Sequence, residues 1–464
     1  MTRCVRARWI VPVAAPPIHN GEVLIENGRI ADIRPAAPKQ TVPNVLDLGN
    51  AIVLPGLVNA HTHLDYTVFR GLLEDLPFFP WIRALVQRKN LLTDEDWLAS
   101  AVLGAAEAAA AGVTTIGDCT DSGAAVRAAR IIGLKGVIYQ EVFALDPNEP
   151  VEATLARLRQ ALHRLRPHTK SSRLRLGVSP HAPYTLHPEA LKAVVRFARQ
   201  ERLPLCIHAA ESQQEALLLL RDEGEFARIL RERGTSWWQS PPGMSTIAYL
   251  DECGVLSSDT LLVHGVQVGH ADFRRAARAG ASWAHCPKSN AKLGNGVSPL
   301  LAFLSSLRSK DPLQGSVPIG LGSDSVASNN TMDLFEEMRC ALLIHRATNR
   351  TADAPTAADL LYMATLGGAS ALGMAGDAGS LEVGKWADLA AISLDGLPLQ
   401  PCYDPVTSLV HSASARDVLL TMVEGTVIYS RLHGRPSFPG CRLARYRQRF
   451  ASTACRLAST RIEA

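Results

Sequence analysis

The stretch Pro55-Gly-Leu-Val-Asn-Ala-His-Thr-His63 decides how the rest of the chain is read. Leu57–Asn59 has the composition of a short buried strand, and Pro55-Gly56 stops the strand before it. On extended backbone, side chains at i and i+2 point the same way, so His61 and His63 face one cavity. Imidazole is a common ligand for borderline divalent ions. With 14 His in 464 residues the pair is weak evidence by itself, and two surface histidines are the plain alternative. It gains meaning only if this strand belongs to a sheet whose C-terminal edge lines a site.

Working outward, the sequence alternates strand and helix. Seven further buried-type strands are predicted: Val113–Asp118, Leu134–Glu141, Leu174–Ser179, Leu205–His208, Thr260–His264, Ser282–His285 and Val317–Leu321. Helical stretches such as Trp97–Ala111, Val151–Leu165, Pro188–Gln200 and Ala271–Ala279 separate them. Eight such units predict an α/β fold, a (β/α)8 TIM-type barrel over residues 57–374. A doubly wound open sheet has the same alternation, and strand count favours the barrel. Both chain ends read as short strands. Glu22 to Ile33 forms a hairpin with an Asn27-Gly28 turn, Leu46–Val53 is a further strand, and Val418 to Tyr429 repeats the hairpin pattern around Glu424-Gly425. Residues 1–56 and 375–464 are therefore expected to build one small sandwich-like β domain from both ends, with a helical tail over Arg442–Arg456 packed on the body. The segment 215–255 is long for one connection and reads as a helical excursion covering the site.

Composition narrows the functional classes. Hydrophobic residues make up 47% and charged residues 20%, which excludes wholesale disorder. Lys and Arg number 48 against 44 Asp and Glu, and no block of five or more basic residues occurs, so no nucleic-acid partner is expected. No uncharged apolar run of 18 residues exists, so no spanning helix and no membrane partner are expected. Nine widely spaced cysteines without a C-x-x-C pattern read as reduced thiols, hence a cytoplasmic location; the N-terminal run WIVPVAA holds Pro12 and is too short for a cleaved signal. Cys206 and Cys286 read as buried fillers.

Four more groups of metal-binding or proton-transfer type fall at predicted strand ends. His208-Ala-Ala-Glu211 follows the fifth strand, His264 ends the sixth, and Asp324 follows the eighth in Gly320-Leu-Gly-Ser-Asp324. Each alone could simply cap a loop. Together they fall where barrel enzymes place their active sites. Ser289 and Ser323 lack a nucleophile-elbow context, Gly320-Leu-Gly322 is not a phosphate loop, and Lys288 reads as a structural cation.

These motifs, with Ser328-Asn329-Asn330, resemble the amidohydrolase superfamily. The similarity is strongest to its aminohydrolase branch of S-adenosylhomocysteine/methylthioadenosine deaminases, aminodeoxyfutalosine deaminases and triazine hydrolases. The resemblance implies His61, His63, His208 and Asp324 as ligands of one divalent metal, zinc first, with iron or manganese as alternatives. It implies Glu211 and His264 as the proton-transfer pair, with His264 and Asp324 holding or deprotonating the water. Strand four carries Ser179-Pro-His181-Ala-Pro-Tyr184, with no Lys to bridge a second metal, and His181 stands at a substrate-facing position. Trp81, in Glu74-Asp-Leu-Pro-Phe-Phe-Pro-Trp81, stands where the branch places an aromatic on the substrate. Two departures concern the nucleoside tail: Asn90 replaces the ribose-gripping Glu, and 144–150 has no Arg. The implied partner is a small-molecule substrate, an amino-substituted purine-type heterocycle or nucleoside deaminated to a keto product. The alternatives are chloride or amide hydrolysis on the same scaffold, and an inactive scaffold. Family members are often dimers or larger, so a homo-oligomer stays open.

Overall fold

The computed structural model describes residues 2–36, 44–169, 173–234, 237–238, 240–308 and 317–460. β1 (Thr2–Ile10) and β2 (Ile18–Glu26) pair antiparallel, and β2 turns at Asn27-Gly28 into β3 (Arg29–Pro35). Asn27 and Gly28 have φ of 52° and 80°, the left-handed region these two residues tolerate best. The single strand expected over Leu46–Val53 is instead two, β4 (Val45–Asp47) and β5 (Ala51–Pro55). Gly49, at φ 58°, breaks the extended run between them. Both run parallel to β1.

Eight parallel strands follow: β6 (Leu57–Thr62), β7 (Val113–Thr120), β8 (Lys135–Val142), β9 (Leu174–Pro180), β10 (Leu205–Ala209), β11 (Thr260–His264), β12 (Ser282–His285) and β13 (Ile319–Leu321). Each pairs with the next in sequence order, which rules out the doubly wound alternative. The eighth strand starts two residues later than expected, at Ile319. The two ends meet at a parallel bridge between Thr62 and Asp324, where the Asp324 N–H donates to the His61 carbonyl at 3.0 Å. The seam is tight. A Cβ on Gly320 would lie 2.8 Å from the Ala60 Cβ and 2.7 Å from the Gly368 Cα, so no side chain fits there.

The chain then returns to the first sheet. β14 (Leu389–Ser393) pairs antiparallel with β5, followed by the hairpin β15 (Val418–Val423) and β16 (Thr426–Ser430). The order is β16-β15-β14-β5-β1-β2-β3, with β4 also on β1. This is one mixed sheet built from both chain ends. It joins the barrel directly, because only Gly56 separates β5 from β6. The junction is also held by a buried ion pair. Lys135 Nζ on β8 lies 2.8 Å from Asp388 Oδ2, with both side chains 3% exposed.

The predicted helices form close to their expected bounds, including Asp94–Ala110, Val151–Leu165, Pro188–Gln200 and His270–Ala279. The excursion holds three helices, Gln213–Arg221, Gly224–Glu232 and Thr246–Glu252. The C-terminal helix Leu443–Ser459 packs on Asp94–Ala110, where buried Asp96 accepts from Arg449, Thr453 and Arg456, each at 2.6 Å. Among the described residues no helix is long and apolar enough to cross a membrane. All nine cysteines are free thiols.

Removing one partner of a buried pair leaves the other charge without compensation. Lys135→Ala should therefore lower unfolding stability by about 3–5 kcal/mol. The double change Lys135→Met with Asp388→Leu should cost much less. Urea midpoints at constant slope measure both, and a Lys135→Ala midpoint equal to that of the parent would refute the role given to this pair.

Candidate metal centre and active site

The strand ends deliver the expected groups to one place. His61 and His63, two apart on the end of β6, turn their rings toward each other with centroids 4.9 Å apart. His61 Nε2 and His63 Nε2 each lie 3.5 Å from Asp324 Oδ1. The His208 ring, from β10, is 4.9 Å from that of His61 and 5.6 Å from that of His63. His61, His63 and Asp324 offer ligand atoms within 4.8 Å of one another, and so do His61, His208 and His264. All five are buried.

Hydrogen bonding fixes which nitrogens are free. The His208 Nδ1 faces the His181 carbonyl at 2.8 Å, which can only accept, so Nδ1 carries the proton and Nε2 keeps its lone pair. His264 Nδ1 faces Asn290 Oδ1 at 2.8 Å, with the same result. His61 Nε2 is buried and has no hydrogen-bond partner. Buried polar atoms are rarely left unpaired, and three imidazole lone pairs around one carboxylate suit a divalent cation. Asp324 is prepared for that role. Ser289 and Ser328 hydroxyls donate to Oδ2 at 2.6 and 3.0 Å, and the Ser325 N–H donates to Oδ1 at 2.6 Å. Burial opposes its charge, yet His61 and its neighbours hold the carboxyl well below its ordinary value.

Glu211 behaves oppositely. Burial, then the Asp324 charge, pushes its carboxyl up to about 8. Its Oε1 lies 3.7 Å from His264 Nε2, and it accepts from Tyr184 Oη at 3.3 Å and Asn295 Nδ2 at 3.2 Å. Two carboxyls in one site thus have pKa values driven apart, the arrangement expected of a fixed anion beside a proton carrier. Strained backbone aims these groups: Ala210, His264 and Asp324 have φ of 53°, 74° and 56°.

His63, His208, Glu211, His264 and Asp324 line a cavity of about 640 Å³ with mostly apolar walls. Trp81 and His181 line it too, so every predicted site residue except His61, which sits beneath, reaches the cavity. The Trp81 Nε1 has no protein partner. Phe226 and Leu230 of the excursion form part of the wall, with Phe226 stacked 4.0 Å from Tyr184. The excursion therefore covers the site as expected. Asn90 only caps the helix Phe78–Lys89 and does not line the cavity. Lys89 does, with Nζ bonded to Tyr66 Oη at 2.6 Å and to Asp121 at 2.9 Å. Lys288 pairs with Thr331 at 2.7 Å and Glu336, as a structural cation should.

Several contributors were missed. Glu215 accepts from the N–H of Ala210 at 2.8 Å and of Glu211 at 3.0 Å, clamping the turn that presents the Glu211 side chain. A second acid four residues after Glu211 was the available signal. Asn295 and Tyr184 carried none, since their partner is distant in sequence. Glu141, near the end of β8, is buried; among the described residues neither oxygen has a hydrogen-bond partner, and Oε1 lies 3.9 Å from His181 Nε2. Cys206 and Cys286 are buried free thiols, in keeping with their reading as fillers. Cys119 and Cys206 sit 3.5 Å apart beneath the site, with Cys119 Sγ 3.8 Å from His61 Nδ1.

Comparison with known proteins agrees with this arrangement. Residues 52–428 match the model of the amidohydrolase family. A 5-methylthioadenosine/S-adenosylhomocysteine deaminase of Syntrophobacter fumaroxidans is 33% identical over 415 residues, covering 88% of each chain. A 5'-deoxyadenosine deaminase of Methanothermobacter thermautotrophicus is 33% identical, covering 89% of this chain and 90% of the other. Among solved structures, an adenosine deaminase of Xanthomonas campestris with bound zinc superposes with a TM-score of 0.83 at 26% identity, covering 98% of both chains. A triazine hydrolase shares the fold, with a TM-score of 0.81 at 22% identity.

Glu215→Ala strands two buried N–H groups, each worth about 1–3 kcal/mol when left unpaired. The variant should melt clearly below the parent, and Glu215→Gln, which keeps one acceptor oxygen, should fall between them. Thermal denaturation checks the order, and three equal melting temperatures would remove the clamp from the account.

Proposed function

Since the chain belongs to the amidohydrolase family, we propose that it is a metal-dependent hydrolytic deaminase of an amino-substituted purine-type heterocycle or nucleoside. Water replaces the amine: the ring carbon gains C=O, and ammonia leaves. The reading rests above all on the Glu211 carboxyl beside His264 Nε2 at the edge of a cluster of His and Asp ligands. His61, His63, His208 and Asp324 are the ligand set we assign, within a catalytic unit spanning 57–374, with 1–56 and 375–464 as accessory unit. Zinc is the ion of choice, because it is bound in the Xanthomonas campestris adenosine deaminase and suits three imidazoles and a carboxylate. Iron or manganese would also suit these ligands. When bound, the ion supplies a water whose pKa is lowered toward about 7.

The chain's own residues then manage protons. Glu211, ionised, takes a proton from the attacking water and delivers it to the ring nitrogen beside the amine. Its position allows a second transfer to the departing amine. His264, held as the Nδ1–H tautomer by Asn290, offers Nε2 to the water and steadies it. Asp324, locked by two serine hydroxyls, keeps its negative charge throughout. Trp81 supplies an apolar face for the flat heterocycle, and His181 addresses its edge. Ammonia leaves only after its nitrogen gains a proton, whereas chloride leaves as an anion, so a carboxyl placed to carry that proton favours deamination over the second reading. An inactive scaffold would have no use for an intact ligand set.

Release of ammonia from adenosine, 5'-deoxyadenosine, methylthioadenosine, S-adenosylhomocysteine, aminodeoxyfutalosine, guanine and pterins tests the proposal. Turnover of none, with chloride or amide cleavage instead, would overturn it. Glu211→Gln should slow turnover at least about 10²-fold, the low end for a general acid–base group, with metal content unchanged. His61→Ala and His208→Ala should lose metal by elemental analysis. The hydrogen bond from Tyr184 lowers the Glu211 pKa, so Tyr184→Phe should raise it further. The acidic limb of kcat/KM, which reports ionisation of Glu211, should then move to higher pH. A limb that stays or moves down would assign it to another group.

A further inference from the structure

A second cleft lies between the C-terminal helix Leu443–Ser459 and the outer face of the barrel. It has a volume of about 830 Å³ and shares no lining residue with the active-site cavity. Its walls come from three separate segments. The crossover helix Ala124–Ile132 contributes Arg127 and Arg130, the 3-10 turn Arg166–Thr169 contributes His168, and the start of the C-terminal helix contributes Arg442, Arg445 and Tyr446. Among the described residues no carboxylate lines it.

We propose that this cleft binds a small ligand carrying a di- or triphosphate group. Arg127, Arg130, Arg442 and Arg445 make no ion pair or side-chain hydrogen bond among the described residues, in contrast to Arg449 and Arg456 further along the same helix, which are both satisfied by Asp96. All four are solvent-exposed along the cleft, so their mutual repulsion is modest, and an anion seated among them removes it. The helix itself is built against the usual preference. Arg442 is its N-cap and Arg445 lies in its first turn, with no acidic residue there and no side chain capping the free N–H groups. Cations at that end oppose the helix dipole unless an anion lies between. The positive field is felt by His168, whose pKa is lowered by burial and then by Arg127 and Arg130.

Chemistry and size select the ligand class. The planar forks of several arginines match phosphate oxygens two at a time. The cleft falls within the roughly 300–1,000 Å³ of small-molecule sites and exceeds what one phosphate fills. Half-buried Tyr446, packed in part on the hydrophobic core, brings an aromatic ring to the cleft wall. These four arginines line a single cleft on a chain with a net charge of only +4, which favours a small polyphosphate over a nucleic-acid strand.

The test is calorimetric titration of the full chain at about 0.15 M salt. One probe is the magnesium complex of uridine triphosphate, since uracil has no exocyclic amine for the active site to act on. Inorganic tripolyphosphate is the second. Both should bind saturably at one site. R442E/R445E and R127E/R130E should each weaken binding at least about 10-fold, at unchanged melting temperature. R442Q/R445Q, a milder change, should weaken it in the same direction. R274E/R278E, the same charge change on the exposed face of His270–Ala279, should leave it within about twofold. Tighter binding of the nucleotide than of tripolyphosphate would show that the base is read, and equal binding that only the phosphates are; either supports the site. No saturable binding of either probe, or equal weakening by the control pair, would overturn the proposal. So would an oligonucleotide that binds through these arginines and is displaced by neither probe.

Discussion

The hydrogen bond from the Asp324 N–H to the His61 carbonyl closes the barrel and assembles the site at once. It joins the first strand to the segment following the last. The two residues it links are the ones whose side chains meet at Nε2 and Oδ1. Because a Cβ on Gly320 would collide with Ala60 and Gly368, the seam cannot open to admit a larger side chain without pulling His61 from Asp324. Fold and function therefore share one constraint: any change that widens the barrel here also spreads the ligand cluster.

The same economy governs charge. Asp324, Glu211 and Glu215 all sit in the interior within a few residues of the fifth and eighth strand ends, and burial acts on each in the same direction. Their partners separate them. Asp324 faces imidazoles and two hydroxyl donors, and stays ionised. Glu211 faces the Asp324 charge with only two side-chain donors at 3.2 and 3.3 Å, and its carboxyl rises to about 8. Glu215, buried but given two backbone N–H donors, rises to about 7. An ionised carboxylate, a carboxyl with a raised pKa and a backbone clamp thus arise from similar side chains at similar depth.

Residues read directly from the sequence were those whose role follows from local pattern. His61 and His63 share a face because extended backbone has a period of two, and the buried strands announce themselves through runs such as Thr260–His264. The order of pairing was not legible, because strand–helix alternation is common to closed and open sheets; the sequential pairing of the eight strands and the bridge between Thr62 and Asp324 decide it. The break at Gly49 was missed for a local reason. One glycine inside an apolar run can mark a bulge, a turn or nothing. Asn295 and Tyr184 were invisible for a non-local one. Nothing in their own neighbourhoods marks them, and their importance lies wholly in being carried to Glu211 by segments 84 and 27 residues away.

The elements that carry chemistry and those that shape recognition are separable, and this bears on how far the relatives' substrates extend to this chain. The residues we assign as ligands and proton carriers stand at strand ends, tied to barrel closure, and cannot drift without loss of the cluster. Much of the cavity wall comes from the helix Phe78–Lys89 and the excursion helix Gly224–Glu232, which are not part of the seam. There the sequence departs from the resemblance. Asn90 caps a helix outside the cavity while Lys89, engaged by Tyr66 and Asp121, faces it. The opposite wall is aromatic, with Tyr184 and Phe226 stacked. A carboxylate gripping a diol and an apolar wall flanked by an already-paired ammonium do not select the same tail. The reacting end of a substrate in this cavity would meet the strand-end groups of the barrel, whereas its distal end would meet helices that take no part in the seam.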